Sequence, residues 1–399
     1  MARIPTGPAR RRRGALRLAA RLGPGVLLSA AAVAASELRV ARSRQPPTDC
    51  WRGIAIEPRG TTQLGLSFRP RQAEAFGLDP RACLARLLDY PFEVLRVSAY
   101  WDRVEPEPAA FRTDEVDWQL ELAARAGRSV VLGVGAVKSF GYPELFIPSH
   151  RLPRPLPEGR LITPSSHPEL LAAAVAHVRK LVEHCRTRAG IVAWQVEHEA
   201  VDPLGMEHSW RLSSAFVAAE VGAVRQADPS RPVLLNGFLP TSLAVAIPQR
   251  WRTRDQGDSV EVATRLADIV GLDHYPCHAL LARGSRSLYL DGAERPWQRR
   301  RRLSTLRRIR AAGRRLMVTE AQAEPWEAVT LPPSPATHRM ASCPPERLLT
   351  TYNQWVRDAR AAGSALDAYL LWGAEYWVMR ADAGDSGYLD AFARLLELA

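Results

Sequence analysis

Two glutamates close two apolar, strand-like runs. Glu199 ends IVAWQVEHE (Ile191 to Glu199) and Glu320 ends RRLMVTE (Arg314 to Glu320). Each run leads into a loop holding Pro and Trp, then into a helix pattern. Two carboxyl groups brought together from the ends of different strands can divide the work of glycoside hydrolysis. One protonates the departing oxygen and the other attacks the anomeric carbon.

Such a pair needs a scaffold that aims strand ends at one point. After the Pro46-Pro47 linker the chain alternates strand and helix patterns eight times. The strand candidates are Leu64–Phe68, Val94–Ser98, Val130–Val134, Ile191–Val196, Val233–Asn236, Ile269–Asp273, Leu316–Thr319 and Ala368–Trp372. These are short runs rich in Leu and β-branched residues, as strands buried on both faces should be. Helix patterns fall between them, at Asp117–Ala126, Leu170–Arg188, Ser209–Gln226, Trp297–Ala312 and Leu348–Ala362, several stopping at glycine. Eight βα units in this length predict an α/β fold, a single (β/α)8 TIM barrel with elaborated loops. An open doubly wound sheet is the alternative, but no GxGxxG follows the first strand, so a dinucleotide fold has no support.

In a (β/α)8 barrel the chemistry sits at the carboxyl ends of the strands. Strand two offers Arg96, then Tyr100-Trp101. Strand four offers Glu197-His198-Glu199, and strand six Asp273-His274-Tyr275. Strand seven gives Glu320, then Trp326, and strand eight gives Trp372, then Glu375-Tyr376-Trp377. Carboxylates, an Arg, a Tyr and several Trp on one rim suit a sugar, whose apolar faces stack on rings and whose hydroxyls take polar partners. On this reading His198, His274, Trp101, Trp326, Trp372 and Trp377 are substrate-binding candidates. The loops 138–166 and 321–345 would shape the cleft.

At these residues the chain resembles the retaining (β/α)8 glycoside hydrolases of clan A, the cellulase and β-galactosidase-like superfamily. LRVSAYWDRVEPEPAAF (Leu95 to Phe111) is similar to its second-strand segment, and WQVEHEA (Trp194 to Ala200) to its W-x-x-x-N-E-P signature. LMVTEAQAEPW (Leu316 to Trp326) is similar to its nucleophile strand, and YLLWGAEYW (Tyr369 to Trp377) to its strand-eight segment. The resemblance implies a glycosidase acting by double displacement on β-linked oligosaccharides or polysaccharides, without a cofactor. It implies Glu199 as acid/base, Glu320 as nucleophile, Tyr275 and Arg96 as partners of Glu320, and Trp372 as the subsite floor. The two carboxyl groups would then lie about 5 Å apart. His198 departs from the pattern, standing where the superfamily has Asn. A non-catalytic glycan-binding barrel and a transglycosylase are the alternative readings.

The 399 residues carry a net charge of +12. Residues 1–45 hold ten Arg against one acid, Glu37, a net +9, so the remainder carries only +3. A nucleic-acid partner therefore has no support, and the Arg run of 299–302 fits a solvated helix face. Arg10 to Arg13 precede an uncharged stretch, Leu22 to Ala35, shorter than the roughly 18 apolar residues a spanning helix needs. Residues 1–47 are thus expected to be a signal or membrane-anchoring segment and linker that supplies no strand to the barrel domain, 48–399, and the protein to be exported. Five cysteines without CxxC make no disulfide scaffold. Cys277 and Cys343 could pair if exported, with free buried thiols the other outcome. His274, Cys277 and His278 cluster in sequence, but Pro276 disfavours the helix that would align two ligands, so no metal site is expected.

Overall fold

The computed structural model describes residues 37–42, 47–141, 144–202, 209–283, 286–291, 295–325 and 341–399. Eight parallel strands close on themselves: β1 (Gln63–Ser67), β2 (Val94–Ser98), β3 (Ser129–Gly133), β4 (Ile191–Gln195), β5 (Val233–Phe238), β6 (Ile269–His274), β7 (Arg315–Gln322) and β8 (Ala368–Trp372). A helix covers each strand in turn: α1 (Pro80–Leu88), α2 (Asp114–Arg125), α3 (Pro168–Cys185), α4 (Ser214–Ala227), α5 (Ser259–Leu266), α6 (Pro296–Ala311), α7 (Pro345–Ala362) and α8 (Gly387–Leu398). This is the expected (β/α)8 barrel.

The strands alternate inward and outward residues, and the inward set fills the barrel. Val94, Val131, Ala193, Leu234, Ile269, Met317, Ala368 and Leu370 pack together as a layer inside the barrel. β1 contributes Gly65 beside that layer because nothing larger fits. A Cβ there would lie 2.0 Å from the Val94 carbonyl oxygen and 2.7 Å from Leu370 Cδ2. The outward residues form the larger core between sheet and helices. Local signals set the helix ends. Asp79 caps α1 by accepting from Ala82 N at 2.7 Å, Asp258 and Glu261 form a reciprocal capping box on α5, and Gly363 ends α7 in the left-handed region.

β7 breaks the simple alternation. Its register slips against both neighbours between Val318 and Ala321. The slip turns Thr319 and Glu320 both toward the mouth, as bulges on barrel rims do.

The N-terminal segment does supply a strand, contrary to expectation. Leu38–Arg42 pairs antiparallel with Arg286–Asp291, which pairs with Cys277–Arg283 in a three-stranded sheet built on the β6–α6 connection. Glu37 is buried beside it and accepts from Ser242 Oγ and Leu243 N. The basic run and apolar stretch of residues 1–36 lie outside the described residues. No helix among the described residues is long and apolar enough to cross a membrane. No disulfide forms among the described residues, so Cys277 and Cys343 do not pair.

Candidate active site

Glu320 lies at the centre of the mouth, 1% exposed. Arg96 Nη1 donates to its Oε1 at 2.7 Å, and Tyr275 donates its hydroxyl to Oε2. Arg96 is itself held by Gln195 Oε1, which accepts from Nε at 2.6 Å. Burial pushes the Glu320 carboxyl above its usual range, while the Arg96 charge and the Tyr275 hydrogen bond pull it back. Both contacts thus act in the expected direction, but burial outweighs them. Tyr275 is held well above its ordinary pKa by burial and by the facing Glu320, so its hydroxyl stays a donor.

A second network ties β4, β5 and β6 together. Asn236 Nδ2 donates to His198 Nδ1 at 2.9 Å and to Asp273 Oδ2, and Asn236 Oδ1 accepts from Glu199 N at 3.3 Å. Thr319 Oγ1 donates to Asp273 Oδ1 at 2.6 Å. A hydrogen bond also joins the Glu199 and Asp273 carboxyl groups. Glu199 is held well above the usual carboxylate range by burial first, then by the charges of Asp273, Asp202, Glu320 and Glu144. His198 is held well below its ordinary value by burial, with Arg96 and Lys138 adding repulsion. Its ring is therefore neutral, and the 3.4 Å approach of Nδ1 to Glu320 Oε1 is no ion pair. With Nδ1 accepting from Asn236, the ring proton belongs on Nε2.

The turn carrying Glu199 is strained. Glu197 and Glu199 adopt φ of 55° and 43°, the left-handed region that side chains disfavour by roughly 1–3 kcal/mol each. Contacts from the β3–α3 loop hold it. Buried Lys138 donates Nζ to the Glu199 carbonyl at 2.7 Å and the Asp202 carbonyl at 3.2 Å. Glu197 points away from the mouth. Its carboxyl accepts from Val137 N at 2.8 Å and from Lys138 N, and it pairs with Glu220 of α4. Burial and the charge of Glu197 raise Glu220 well above the carboxylate range, so this pair shares a proton. Glu197 therefore serves neither as a second acid nor as a partner of His198.

The mouth is roofed by Phe140, Phe238, Tyr275 and Trp372, a cluster separate from the main core. The Arg96 guanidinium stacks on Phe140 at 3.7 Å, and Phe140 meets Trp372 edge-on at 5.9 Å. Arg69 lies 4.2 Å over Trp372 and is clamped by Glu324 and Glu375, at 2.8 and 2.7 Å. Trp372 thus sits at the rim. Three other candidates do not. Trp101 is fully buried, donating to Glu105 at 2.8 Å and packing on His177 of α3. Trp377 donates to the Ala323 carbonyl and packs on Phe392 of α8. His274 points out of the barrel, where Nδ1 accepts from Trp355 of α7 at 3.1 Å. Strand parity explains it: Asp273 and Tyr275 face in, so the residue between them faces out. Trp326 lies outside the described residues.

Sequence reasoning missed Gln195, Asn236, Thr319, Phe140 and Lys138, and gave Asp273 a place on the rim without a role. Parity could have found Gln195, two residues after inward-facing Ala193, and Asp273, two before Tyr275. Lys138, one of only two lysines in an Arg-rich chain, carried its own signal.

His198, Asp273 and Glu320 offer ligand atoms within 4.8 Å of one another. A cation there would have to displace Asn236 from His198 and Arg96 from Glu320. The donor set therefore fits a hydrogen-bonded carboxylate site better than a metal site.

No protein-family model matches the chain, and no curated protein matches it. Solved structures do. Xylanase 10B from Thermotoga petrophila RKU-1, in complex with xylobiose, is 14% identical with a TM-score of 0.51 over 86% of this chain and 98% of that one. The exo-β-1,4-mannosidase Op5Man5 from Opitutaceae bacterium strain TAV5 is also 14% identical with a TM-score of 0.51, over 86% of this chain and 62% of that one. At this identity the likeness establishes the shared (β/α)8 barrel.

Proposed function

We propose that the protein is a retaining glycosidase acting on β-linked sugars, with Glu320 as nucleophile and Glu199 as acid/base. The observation that carries this is the contrast between the two glutamates. Glu320 receives an Arg and a Tyr donor, which favour its ionised, attacking form. Glu199 faces carboxyl groups and is pushed well above the usual carboxylate range, the direction an acid working near neutrality needs. In the first step the Glu320 carboxylate forms an ester with the anomeric carbon as the glycosidic C–O bond breaks, and the Glu199 proton goes to the departing oxygen. In the second, Glu199 takes a proton from water, whose oxygen attacks the anomeric carbon and frees Glu320. The fold shared with a xylanase and a β-1,4-mannosidase is compatible with this reading, which rests on the residues themselves.

One observation favours a second reading, a non-catalytic barrel. Phe140 covers Arg96, and both glutamates are nearly inaccessible, Glu199 at 8%. The two readings part on incubation with a panel of activated 2-deoxy-2-fluoro-β-glycosides. Covalent mass on the peptide bearing Glu320 supports the glycosidase. Carbohydrate binding without labelling or turnover supports the non-catalytic barrel.

If the protein is exported, as its N-terminal residues suggest, its substrate would be an extracytoplasmic glycan. Detection of the chain outside the cytoplasm of its producing cell tests that part.

A further inference from the structure

We propose that Asp273 is the positioning residue for the Glu199 proton: the Glu199 carboxyl donates to the Asp273 carboxylate, which Asn236 and Thr319 hold in place. The proposal rests on the reading of Glu199 as acid/base. Two carboxyl groups can share a hydrogen bond only if one of them keeps a proton, and the surrounding donors decide which. Asp273 receives a donor on each oxygen, Thr319 Oγ1 on Oδ1 and Asn236 Nδ2 on Oδ2. Burial and the facing Glu320 push Asp273 well above its ordinary value too, but Arg96 and the donors on its oxygens pull it back toward the ionised form, and so does its hydrogen bond with Glu199. After burial, the strongest influences on the Glu199 carboxyl are acids: Asp273 from β6, Asp202 beyond β4, Glu320 from β7 and Glu144 from the β3–α3 loop, while the Lys138 ammonium lies on the backbone carbonyl of Glu199. The groups facing Asp273 are Glu320, Arg96 from β2, neutral His198 and Glu199 itself. Glu199 therefore carries the proton.

The arrangement serves both halves of the reaction. Before substrate arrives, Asp273 accepts the Glu199 O–H and keeps it from ionising; the departing oxygen then replaces Asp273 as the acceptor of that proton. Once that proton has passed to the departing oxygen, Glu199 is an anion beside the Asp273 anion. Repulsion then makes Glu199 a stronger base toward the water of the second step. Glu320 also raises Glu199, but Arg96 and Tyr275 already engage its two oxygens, which leaves Asp273 as the larger charge acting on Glu199.

The test is a carboxyl-carbon NMR titration of protein labelled with 13C at glutamate carboxyls, the Glu199 resonance being the one missing in Glu199→Gln. In the parent it should hold its protonated position through neutral pH. In Asp273→Asn its midpoint should fall by at least about one pH unit, the scale of coupling between adjacent carboxyl groups. The basic limb of kcat/KM on a phenyl β-glycoside should fall with it, and less on a dinitrophenyl β-glycoside, whose leaving group needs little proton assistance. If Asp273→Asn does not fold, aspartate-labelled Glu199→Gln reads the same coupling from the other side, since the Asp273 resonance should lose the second titration step it shows in the parent. An unmoved Glu199 midpoint, or a Glu199 already ionised at neutral pH in the parent, overturns the proposal whatever the activity. A shifted midpoint without turnover of any glycoside supports the pairing and overturns the glycosidase reading.

Discussion

Asp202→Asn should stabilise the protein, and only above mildly acidic pH. Asp202 lies three residues beyond Glu199, fully buried, where Oδ1 accepts from Ser259 N at 3.2 Å at the start of α5. Burial first, then the charge of Asp258, push its carboxyl from 3.8 up to about 6. The folded protein thus holds this proton more tightly than the unfolded chain does, the reverse of the usual aspartate. Its contribution is harmless below about pH 4. It becomes a penalty as pH rises through about 6, reaching about 3 kcal/mol for a rise of that size. Asparagine keeps an oxygen for Ser259 N and has no charge to bury. The stability difference, variant minus parent, should be near zero at about pH 4 and reach roughly 1–3 kcal/mol by about pH 8, the lower bound allowing for relaxation around the site. Urea unfolding across that range measures it. A difference that is constant with pH, or a destabilisation that grows with pH, would refute the reasoning. Because the Asp202 charge also raises Glu199, a smaller downward move of the basic activity limb should accompany the gain.

Tyr275→Phe removes a donor that favours ionised Glu320, so the acidic limb of kcat/KM should move to higher pH. Loss of a hydrogen bond to a charged group, about 1.5–3 kcal/mol, sets the activity loss at roughly ten- to a hundredfold. An unchanged acidic limb would count against Glu320 as nucleophile. Phe140→Ala empties a buried aromatic site and should cost about 3 kcal/mol or more in thermal or urea unfolding. It should also expose Glu320 to a water-soluble carbodiimide that spares it in the parent. Glu37→Ala removes the acceptor for Ser242 and Leu243, with a cost of about 1–3 kcal/mol and faster tryptic cleavage at Arg39 and Arg42. Equal cleavage rates would show that the N-terminal strand is not fastened there.

The barrel was legible because buried parallel strands leave short apolar runs, and glycines such as Gly363 mark helix ends. Glu199, Tyr275 and Glu320 were legible because each closes or follows such a run, and Arg96 because it interrupts one. Other features depend on which way a side chain points. A one-residue step on β6 sends His274 outward to Trp355 and Asp273 inward to Glu199, and the apolar run alone does not fix that phase. The slip in β7 that turns Thr319 and Glu320 the same way has no local mark. Trp101 and Trp377 follow strand ends but belong to short helices, whose turns carry them back into the core. The strand Leu38–Arg42 was hidden by its basic composition, and its pairing with Arg286–Asp291 spans most of the chain.

The most direct test of the division of labour between the two glutamates is azide rescue of Glu199→Ala on a dinitrophenyl β-glycoside, with the product's anomeric configuration read by proton NMR. A retaining pair in which Glu320 forms the covalent intermediate predicts that azide restores turnover and yields a glycosyl azide of retained, β configuration. No rescue, or an α-glycosyl azide, would contradict it.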